Sequence, residues 1–240
     1  MLNRDIELYA LNEKSITVVF GNEISTEQSK NILLVNKAIN ANPFPGLLST
    51  VQAYTTLTIF YDPLRVYQSD LKGQSPFDKV AGFIHKLEID FQTTAQTCRK
   101  ISIPVLYGGK FGPDLAWVAK NANLDIEDVV KIHSSATYMV NMIGFVPGFA
   151  YLSGMNKQIA APRKQQPRAN VWAGSVGIAG EQTGIYSLDT PGGWQIIGQT
   201  PFQLFNAKRL EPALLQAGDE VTFESISNEE FLSLKKQNED

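Results

Sequence analysis

The chain has 240 residues, a formal net charge of −3 and a pI near 5.5, with 43% hydrophobic and 19% charged residues. This is enough apolar material for a folded core and too little charge for a disordered chain. Without a net basic field, nucleic acid and anionic membranes are disfavoured as partners. The single cysteine, Cys98, excludes an internal disulfide and fits a reducing compartment.

The N-terminal segment has no export-signal pattern. Arg4, Asp5 and Glu7 stand where a signal peptide needs an unbroken apolar stretch. No apolar run approaches the ~20 residues that cross a bilayer. We therefore expect a cytoplasmic protein with no membrane partner.

The first hundred residues alternate strand-like and helix-like segments. Alternating apolar and polar residues over 6–11 and 15–21 predict a hairpin or one interrupted strand. A helix is predicted over 25–42, because Ser25 and Gln28 stand at capping-box spacing before an apolar stripe.

Further strands and a second helix complete this part of the chain. Runs rich in β-branched and aromatic residues over 47–63 predict two strands. Ser75 is the cap of a helix predicted over 75–90, and a strand is predicted over 99–108. The β-α-β-β-α-β order is typical of a split βαβ, ferredoxin-like fold, which we assign to residues 1–103.

The remaining residues show a different pattern. Residues 112–133 predict two short helices, with Asp114 near the start of the first and Asp125 capping the second. Short strand-like segments punctuated by Gly and Pro then follow, which is typical of a closed barrel or sandwich. We predict a mainly-β domain over 104–240, ending in a short helix near 228–240.

Common enzyme motifs are missing from the sequence. It contains no GxxxxGK phosphate loop, no GxSxG elbow, no HExxH zinc motif and no Met-Lys-Met segment for biotin, and it has only two histidines. A self-contained nucleotide or zinc site of a standard kind is therefore disfavoured.

Two arginines in the β-rich half are candidates for binding an anion. Arg163 and Arg168 each follow a proline, so their stiffened backbone reduces the entropy lost in gripping a carboxylate or phosphate. The alternative is a pair of solvated loop arginines.

Neutral hydrogen-bonding groups accompany these arginines in the same half of the sequence. Gln182 and Gln195 lie beside glycine turns, and Gly192 and Gly193 allow a backbone to approach a ligand. These residues predict an uncharged part of the same pocket. The alternative for nearby rings such as Trp194 is core filling.

Acid-base candidates are few. His133 titrates near neutrality and Asp114 could orient a partner group, although a lone histidine at a helix end is often structural. Segment 144–155, GFVPGFAYLSGM, is predicted to turn at Pro147-Gly148 across the barrel mouth, with its two phenylalanines anchored inward. Tyr151 would then present its hydroxyl near Arg163 and Gln182.

Several segments together carry a family resemblance. PVLYGGKFGPDLAWVA, the later GFVPGFAYLSGM, PRKQQPRANVWAGSVGIAGEQTGIY and PGGWQIIGQTP closely resemble the KipI/PxpB family, once called allophanate hydrolase subunit 1. The family is related to subdomain C of the carboxyltransferase part of urea carboxylase. At two positions, Lys110 and Trp172, the residue differs from what we expect in most family members.

The resemblance implies an architecture and an activity. It implies a small α/β domain followed by a cyclophilin-like β-barrel domain. It also implies the B subunit of an ATP-dependent 5-oxoprolinase, inactive alone, which opens 5-oxo-L-proline to L-glutamate with PxpC-like and PxpA-like partners. We expect ATP, with Mg²⁺, at a site shared with a partner subunit, and no biotin on this chain.

Two other functions remain open from the sequence. The family includes an inhibitor of a sensor histidine kinase, so the β domain could be a binding module for such a kinase. A role in an amide or urea carboxylase is a further possibility and would need biotin on a partner.

Overall fold

A computed structural model describes residues 6–22, 25–89 and 98–239. The chain divides into two compact units, residues 1–97 and residues 98–240. In the part of the chain so described, no helix combines the length and the apolar character needed to cross a bilayer.

The first unit is built on a four-stranded antiparallel sheet. Its strands are β1 (Glu7–Asn12), β2 (Ser15–Val19), β3 (Leu47–Gln52) and β4 (Thr56–Tyr61), in the order β1-β2-β4-β3. Its helices are α1 (Thr26–Ala41), α2 (Pro63–Gln68) and α3 (Pro76–His85). The first two strands form the predicted hairpin, and the last position of the helix predicted over 75–90, Asp90, lies outside the described residues.

Side-chain caps fix the positions at which helices α1 and α2 begin. The Ser25 hydroxyl accepts a hydrogen bond from the Gln28 N–H at 3.1 Å, as the capping pattern predicts. The sequence pattern does not predict helix α2, because Asp62-Pro63 is also typical of a turn. The Asp62 carboxylate caps this helix by accepting from the Leu64 and Arg65 N–H groups at 2.9 and 3.2 Å.

The second unit contains a closed seven-stranded barrel, which confirms the predicted mainly-β barrel. Its strands are β5 (Lys100–Tyr107), β6 (Thr137–Ile143), β7 (Ala150–Ser153), β9 (Ser175–Ala179), β10 (Gln182–Ile185), β12 (Gln195–Gln199) and β13 (Glu220–Ser225). The strand order is β10-β7-β6-β13-β5-β12-β9. All neighbours are antiparallel except β13 and β5, which are parallel.

Three helices and a small sheet accompany the barrel. The helices are α4 (Leu115–Ala122), α5 (Ile126–Ser135) and α6 (Asn228–Glu239), close to the predicted positions. Strands β8 (Arg168–Val171) and β11 (Thr190–Gly192) form a separate antiparallel pair.

The ferredoxin-like arrangement is not confirmed. Strand β5, which was expected to complete it, lies between β12 and β13 in the barrel, and β1 takes the edge beside β2. The middle of β5, from Ile103 to Val105, is completely buried, as a central barrel strand requires. The boundary between the two units lies between residues 97 and 98, whereas the predicted boundary between residues 103 and 104 would fall inside β5.

Two apolar clusters lie on opposite faces of the part of the barrel formed by strands β7, β9, β10 and β12. One face contributes Leu152, Val176 and Ile185 to the main barrel core. The opposite face carries a second cluster that includes Phe149, Tyr186 and Trp194. Alternation along each strand produces this division, and it places the aromatic side chains where the candidate site lies.

Candidate functional site

The aromatic cluster is centred on Trp194. Its ring centroid lies 5.5 Å from that of Phe149, 5.9 Å from Tyr151 and 6.4 Å from Tyr186, all with edge-on geometry. A Cβ on Gly184 would lie 2.9 Å from the Trp194 ring and 2.8 Å from the Ala150 carbonyl oxygen. The strand therefore needs glycine there for the indole to pack against it.

The loop over residues 162–168 is fixed against this cluster by backbone and amide contacts. The Gln195 amide Nε2 donates to the Pro162 carbonyl at 2.9 Å, and the Lys164 N–H donates to the Gly193 carbonyl at 2.7 Å. Gly192 pairs with Arg168 in the small sheet. A Cβ on Gly192 would overlap the Tyr186 hydroxyl. Three residues predicted to bind ligand, Gln195, Gly192 and Gly193, thus hold the loop in place.

Asp114 joins this loop to the start of α4. Arg168 Nη2 donates to both carboxylate oxygens of Asp114 at 2.7 Å, and Lys164 Nζ donates to Oδ1 at 3.1 Å. The Ile196 N–H donates to Oδ2 at 2.7 Å. Every one of these contacts favours an anion, so Asp114 is the counter-ion of two cations.

The electrostatics of Asp114 agree with that geometry. Burial alone would raise the pKa of this carboxyl, but the hydrogen bonds from Arg168, Ile196 and Lys164 outweigh it and lower the pKa below its usual value. A carboxylate stabilised in this way holds its charge and is a poor proton donor or acceptor near neutral pH. We therefore assign Asp114 a positioning role, in contrast to the acid-base role considered from the sequence.

Arg163 is differently placed from Arg168. Its guanidinium lies 6.0 Å from the centre of the Trp194 ring, and its side chain is exposed. Among the described residues no carboxylate forms an ion pair with it. Arg163 therefore presents a positive charge at the surface of the aromatic cluster.

Tyr151 lies next to this charge. Burial raises the pKa of its hydroxyl, and the positive charge of Arg163 partly offsets the rise. Its backbone pairs with Gly184 across β7 and β10, and Gln182 shares a face of β10 with Gly184. The structure therefore brings Tyr151 beside Arg163, and places Gln182 on the same face two residues from the pairing position.

The segment 144–155 forms the predicted turn. Pro147 and Gly148 occupy its centre, Gly148 has φ 77°, and the Phe149 N–H donates to the Val146 carbonyl at 3.1 Å. Phe149 is buried at 1% exposure, as predicted. Phe145 was also expected to point inward, but it is 63% exposed and has a left-handed φ of 70°, because the turn directs its ring to the surface.

His133 lies in the barrel core, apart from the surface formed by Arg163, Trp194 and Tyr151, which we call the Arg163 site. Thr183 donates its hydroxyl proton to the Gly177 carbonyl, so it accepts from His133 Nε2 at 2.9 Å, and Nδ1 accepts from the Tyr107 hydroxyl at 2.8 Å. The ring stacks on Phe223 with centroids 4.5 Å apart. Burial lowers its pKa to about 3. A neutral, fully hydrogen-bonded histidine of this kind has a packing role, and the geometry gives no basis for the catalytic role considered above.

Two contributors to the site were missed in the sequence. Lys164 stands directly after Arg163 and could have been counted with the loop cations. Tyr186 has no distinguishing local signal, although its ring packs edge-on against those of Phe149 and Trp194, with centroids 5.1 and 6.4 Å away. The described residues contain no group of three His, Cys, Asp or Glu side chains placed to hold a metal ion.

Comparison with known proteins assigns the family. Residues 6–215 match the family described as carboxyltransferase domain, subdomain C and D. A protein of Bacillus subtilis (strain 168), named as the B subunit of 5-oxoprolinase, is 43% identical over 233 residues, covering 96% of this chain and 97% of that protein. The chain belongs to the KipI/PxpB family.

Solved structures agree with this KipI/PxpB assignment. A conserved protein of Pyrococcus horikoshii, PH0987, is 38% identical with a TM-score of 0.56, covering 94% of this chain and all of that one. The protein TTHA0988 is 33% identical with a TM-score of 0.77, covering 90% of this chain but 40% of its own. In TTHA0988 the KipI/PxpB region is therefore joined to further polypeptide.

Proposed function

We propose that this chain is the B subunit of an ATP-dependent 5-oxoprolinase and acts in the cytoplasm. The observation that carries the proposal is 43% identity to a protein of that name along nearly the whole of both chains. The other subunits of the complex are PxpC-like and PxpA-like proteins, and this chain alone is inactive.

The reaction requires activation of an unreactive lactam. Transfer of the ATP γ-phosphoryl group to the lactam oxygen, with release of ADP, creates a good leaving group. Water then adds to the same carbon and the ring C–N bond breaks, which frees the α-amino group and leaves an acyl phosphate. A second water hydrolyses the acyl phosphate to L-glutamate and phosphate. Positioning and charge stabilisation are the main tasks of the protein in such a step. We place ATP and Mg²⁺ at a site shared with a partner subunit.

Arg163 is the residue of this chain that we assign to the substrate carboxylate. Arg168 and Lys164 both donate to Asp114, whereas Arg163 has no carboxylate partner among the described residues and presents its guanidinium over Trp194 beside Tyr151. The guanidinium fork suits a carboxylate, and the Tyr151 hydroxyl can add a hydrogen bond. Asp114 and its partners keep the loop in place.

The test is to reconstitute the three subunits and measure ATP hydrolysis that depends on 5-oxoproline. We expect Arg163→Ala to raise KM for 5-oxoproline about 10- to 100-fold with little change in kcat, because a charged hydrogen bond contributes about 1.5–3 kcal/mol. Arg65→Ala, which removes an exposed arginine of α2, is the matched control and should leave KM unchanged.

Two results would contradict the proposal. Activity that is unaffected when this chain is omitted would show that it is not a component of the enzyme. Inhibition of a sensor histidine kinase, without any support of 5-oxoproline hydrolysis, would favour the binding-module function instead.

A further inference from the structure

A second feature of the barrel unit is an open groove of about 1160 Å³ that does not include the Arg163 site. Its walls are the segments 110–111, 172–174, 187–189 and 199–206, together with one side of α6. We call it the end groove. A groove of this size can hold a small molecule or a polypeptide segment, so its lining decides which occupant it favours.

The end groove is rich in aromatic side chains. Its five rings are Phe111, Trp172, Phe202, Phe205 and Phe231. Phe111 and Phe231 pack together with centroids 4.8 Å apart. Trp172 is 65% exposed, which leaves a large apolar surface in water. Exposed aromatic patches of this kind mark interaction surfaces, and tryptophan is enriched among the residues that dominate binding energy.

The charged groups of the groove are mainly positive. Lys110, Arg209 and Lys235 line it. The one acid among its described lining residues is Asp189, whose carboxylate accepts the Ala173 N–H at 2.7 Å. A locally positive groove on a chain of net charge −3 favours a partner segment that carries carboxylates.

The loop that carries Trp172 is firmly held. Besides the Asp189 contact, Gln199 Nε2 donates to the Ala173 carbonyl at 2.7 Å, and the Gly174 N–H donates to the Tyr186 carbonyl at 2.7 Å. A side chain on Gly174, which has φ 81°, would overlap the Thr200 carbonyl. Because the loop is already ordered, little conformational entropy is lost when a partner covers Trp172.

We propose that the end groove binds an acidic, apolar-rich segment of the PxpC-like subunit, an inference that rests on the proposed function. The positive charge selects carboxylates, and the exposed Trp172 with the partly exposed rings of Phe111, Phe202 and Phe205 supplies apolar surface for neighbouring side chains. A nucleotide would also satisfy rings and cations, but it would leave much of the groove unfilled.

The experiment uses calorimetry to measure how tightly the full chain binds the purified PxpC-like subunit. Trp172→Ala should weaken binding at least about 30-fold, the loss typical of a dominant interface tryptophan. The matched control is Trp117→Ala, which removes a 43% exposed tryptophan of α4 that does not line the groove. It should change the affinity less than about 3-fold.

A charge-reversal pair tests the electrostatic part. Lys110→Glu combined with Lys235→Glu should weaken binding about 10-fold at low salt, and high salt should remove most of that difference. The control pair is Lys120→Glu with Lys236→Glu, because Lys236 is exposed on the same helix as Lys235 but does not line the groove. Circular dichroism melts confirm that each variant is folded.

The outcomes separate the two proposals. If the complete complex is active and the groove variants bind like the wild type, the docking inference is wrong while the proposed function stands. If the wild-type chain neither binds the PxpC-like subunit nor supports hydrolysis, the proposed function fails and the docking inference fails with it. ATP binding to the isolated chain that is lost in Trp172→Ala would identify a nucleotide site and overturn the docking inference.

Discussion

The carboxylate of Asp114 provides a sharp test of how the candidate site is held together. In Asp114→Asn the shape is kept, but the one negative charge that pairs with Arg168 and Lys164 is removed. Both oxygens of Asp114 accept hydrogen bonds, so either orientation of the new amide turns its NH₂ group toward donors. The variant therefore replaces attraction with a contact between donors.

The size of the effect follows from burial. The Asp114 side chain is 7% exposed, while those of Arg168 and Lys164 are 26% and 31% exposed. Breaking a buried ion pair costs about 3–5 kcal/mol, and the partial hydration of both cations favours the lower end. We expect the free energy of unfolding to fall by about 3 kcal/mol.

The assay is urea unfolding followed by tryptophan fluorescence. All three tryptophans, Trp117, Trp172 and Trp194, lie in the second unit, so the signal reports on the barrel. With an m-value of about 2–3 kcal/mol/M, the midpoint should fall by about 1 M. Asp125→Asn is the control, because Asp125 caps α5 without a side-chain hydrogen bond, and it should cost less than about 0.5 kcal/mol.

The pH dependence gives an independent check. The folded-state pKa of Asp114 is lowered, so its contribution to stability is complete above the unfolded-state pKa of 3.8 and is lost as pH falls through the lower folded-state value. The difference between wild type and Asp114→Asn should stay constant from about pH 7 to pH 5 and shrink below about pH 4. A difference under about 1 kcal/mol at neutral pH, or one that shrinks already above pH 5, would refute the reasoning.

Two further predictions concern the barrel. Because burial lowers the pKa of His133 from 6.5 to about 3, the free energy of unfolding should fall as pH drops between these values, by up to about 1.4 kcal/mol per pH unit. His133→Gln should lack this slope in urea titrations, and equal slopes would contradict the assignment. Gly184→Ala should lose about 1–3 kcal/mol in the same assay, because its Cβ meets Trp194 and the Ala150 carbonyl, whereas Gly82→Ala in α3 should be neutral or stabilising. A stable Gly184→Ala would show that the indole can move.

Local chemistry explains what the sequence predicts well. Ser75 and Asp78 form the capping box that begins α3, because both partners lie within one turn. Pro147 with Gly148 makes the predicted turn for a similar reason, since a proline and a left-handed glycine fix it locally. The barrel class was predictable because short strands broken by Gly and Pro recur through the second half.

Long-range pairing explains what was missed. Strand β5 looks the same in sequence whether it completes the first sheet or enters the barrel, and its neighbours β12 and β13 lie far along the chain. The roles of Arg163 and Arg168 could not be separated either, because each follows a proline in the same loop. Only Asp114, 54 residues before Arg168, distinguishes the neutralised arginine from the available one.

The parallel pairing of β13 with β5 has a consequence for synthesis of the protein. Glu220 pairs with Lys100 and Ser225 with Val105, so the barrel closes only when its last strand meets its first. Arg99 fastens the same joint by donating to both Asp219 oxygens at 2.9 and 2.7 Å. During translation, one edge of β5 therefore stays unpaired until more than a hundred further residues have been made. An unpaired strand edge is a template for aggregation. A chain truncated before residue 220 would lack the strand that closes the barrel and would leave this edge of β5 exposed.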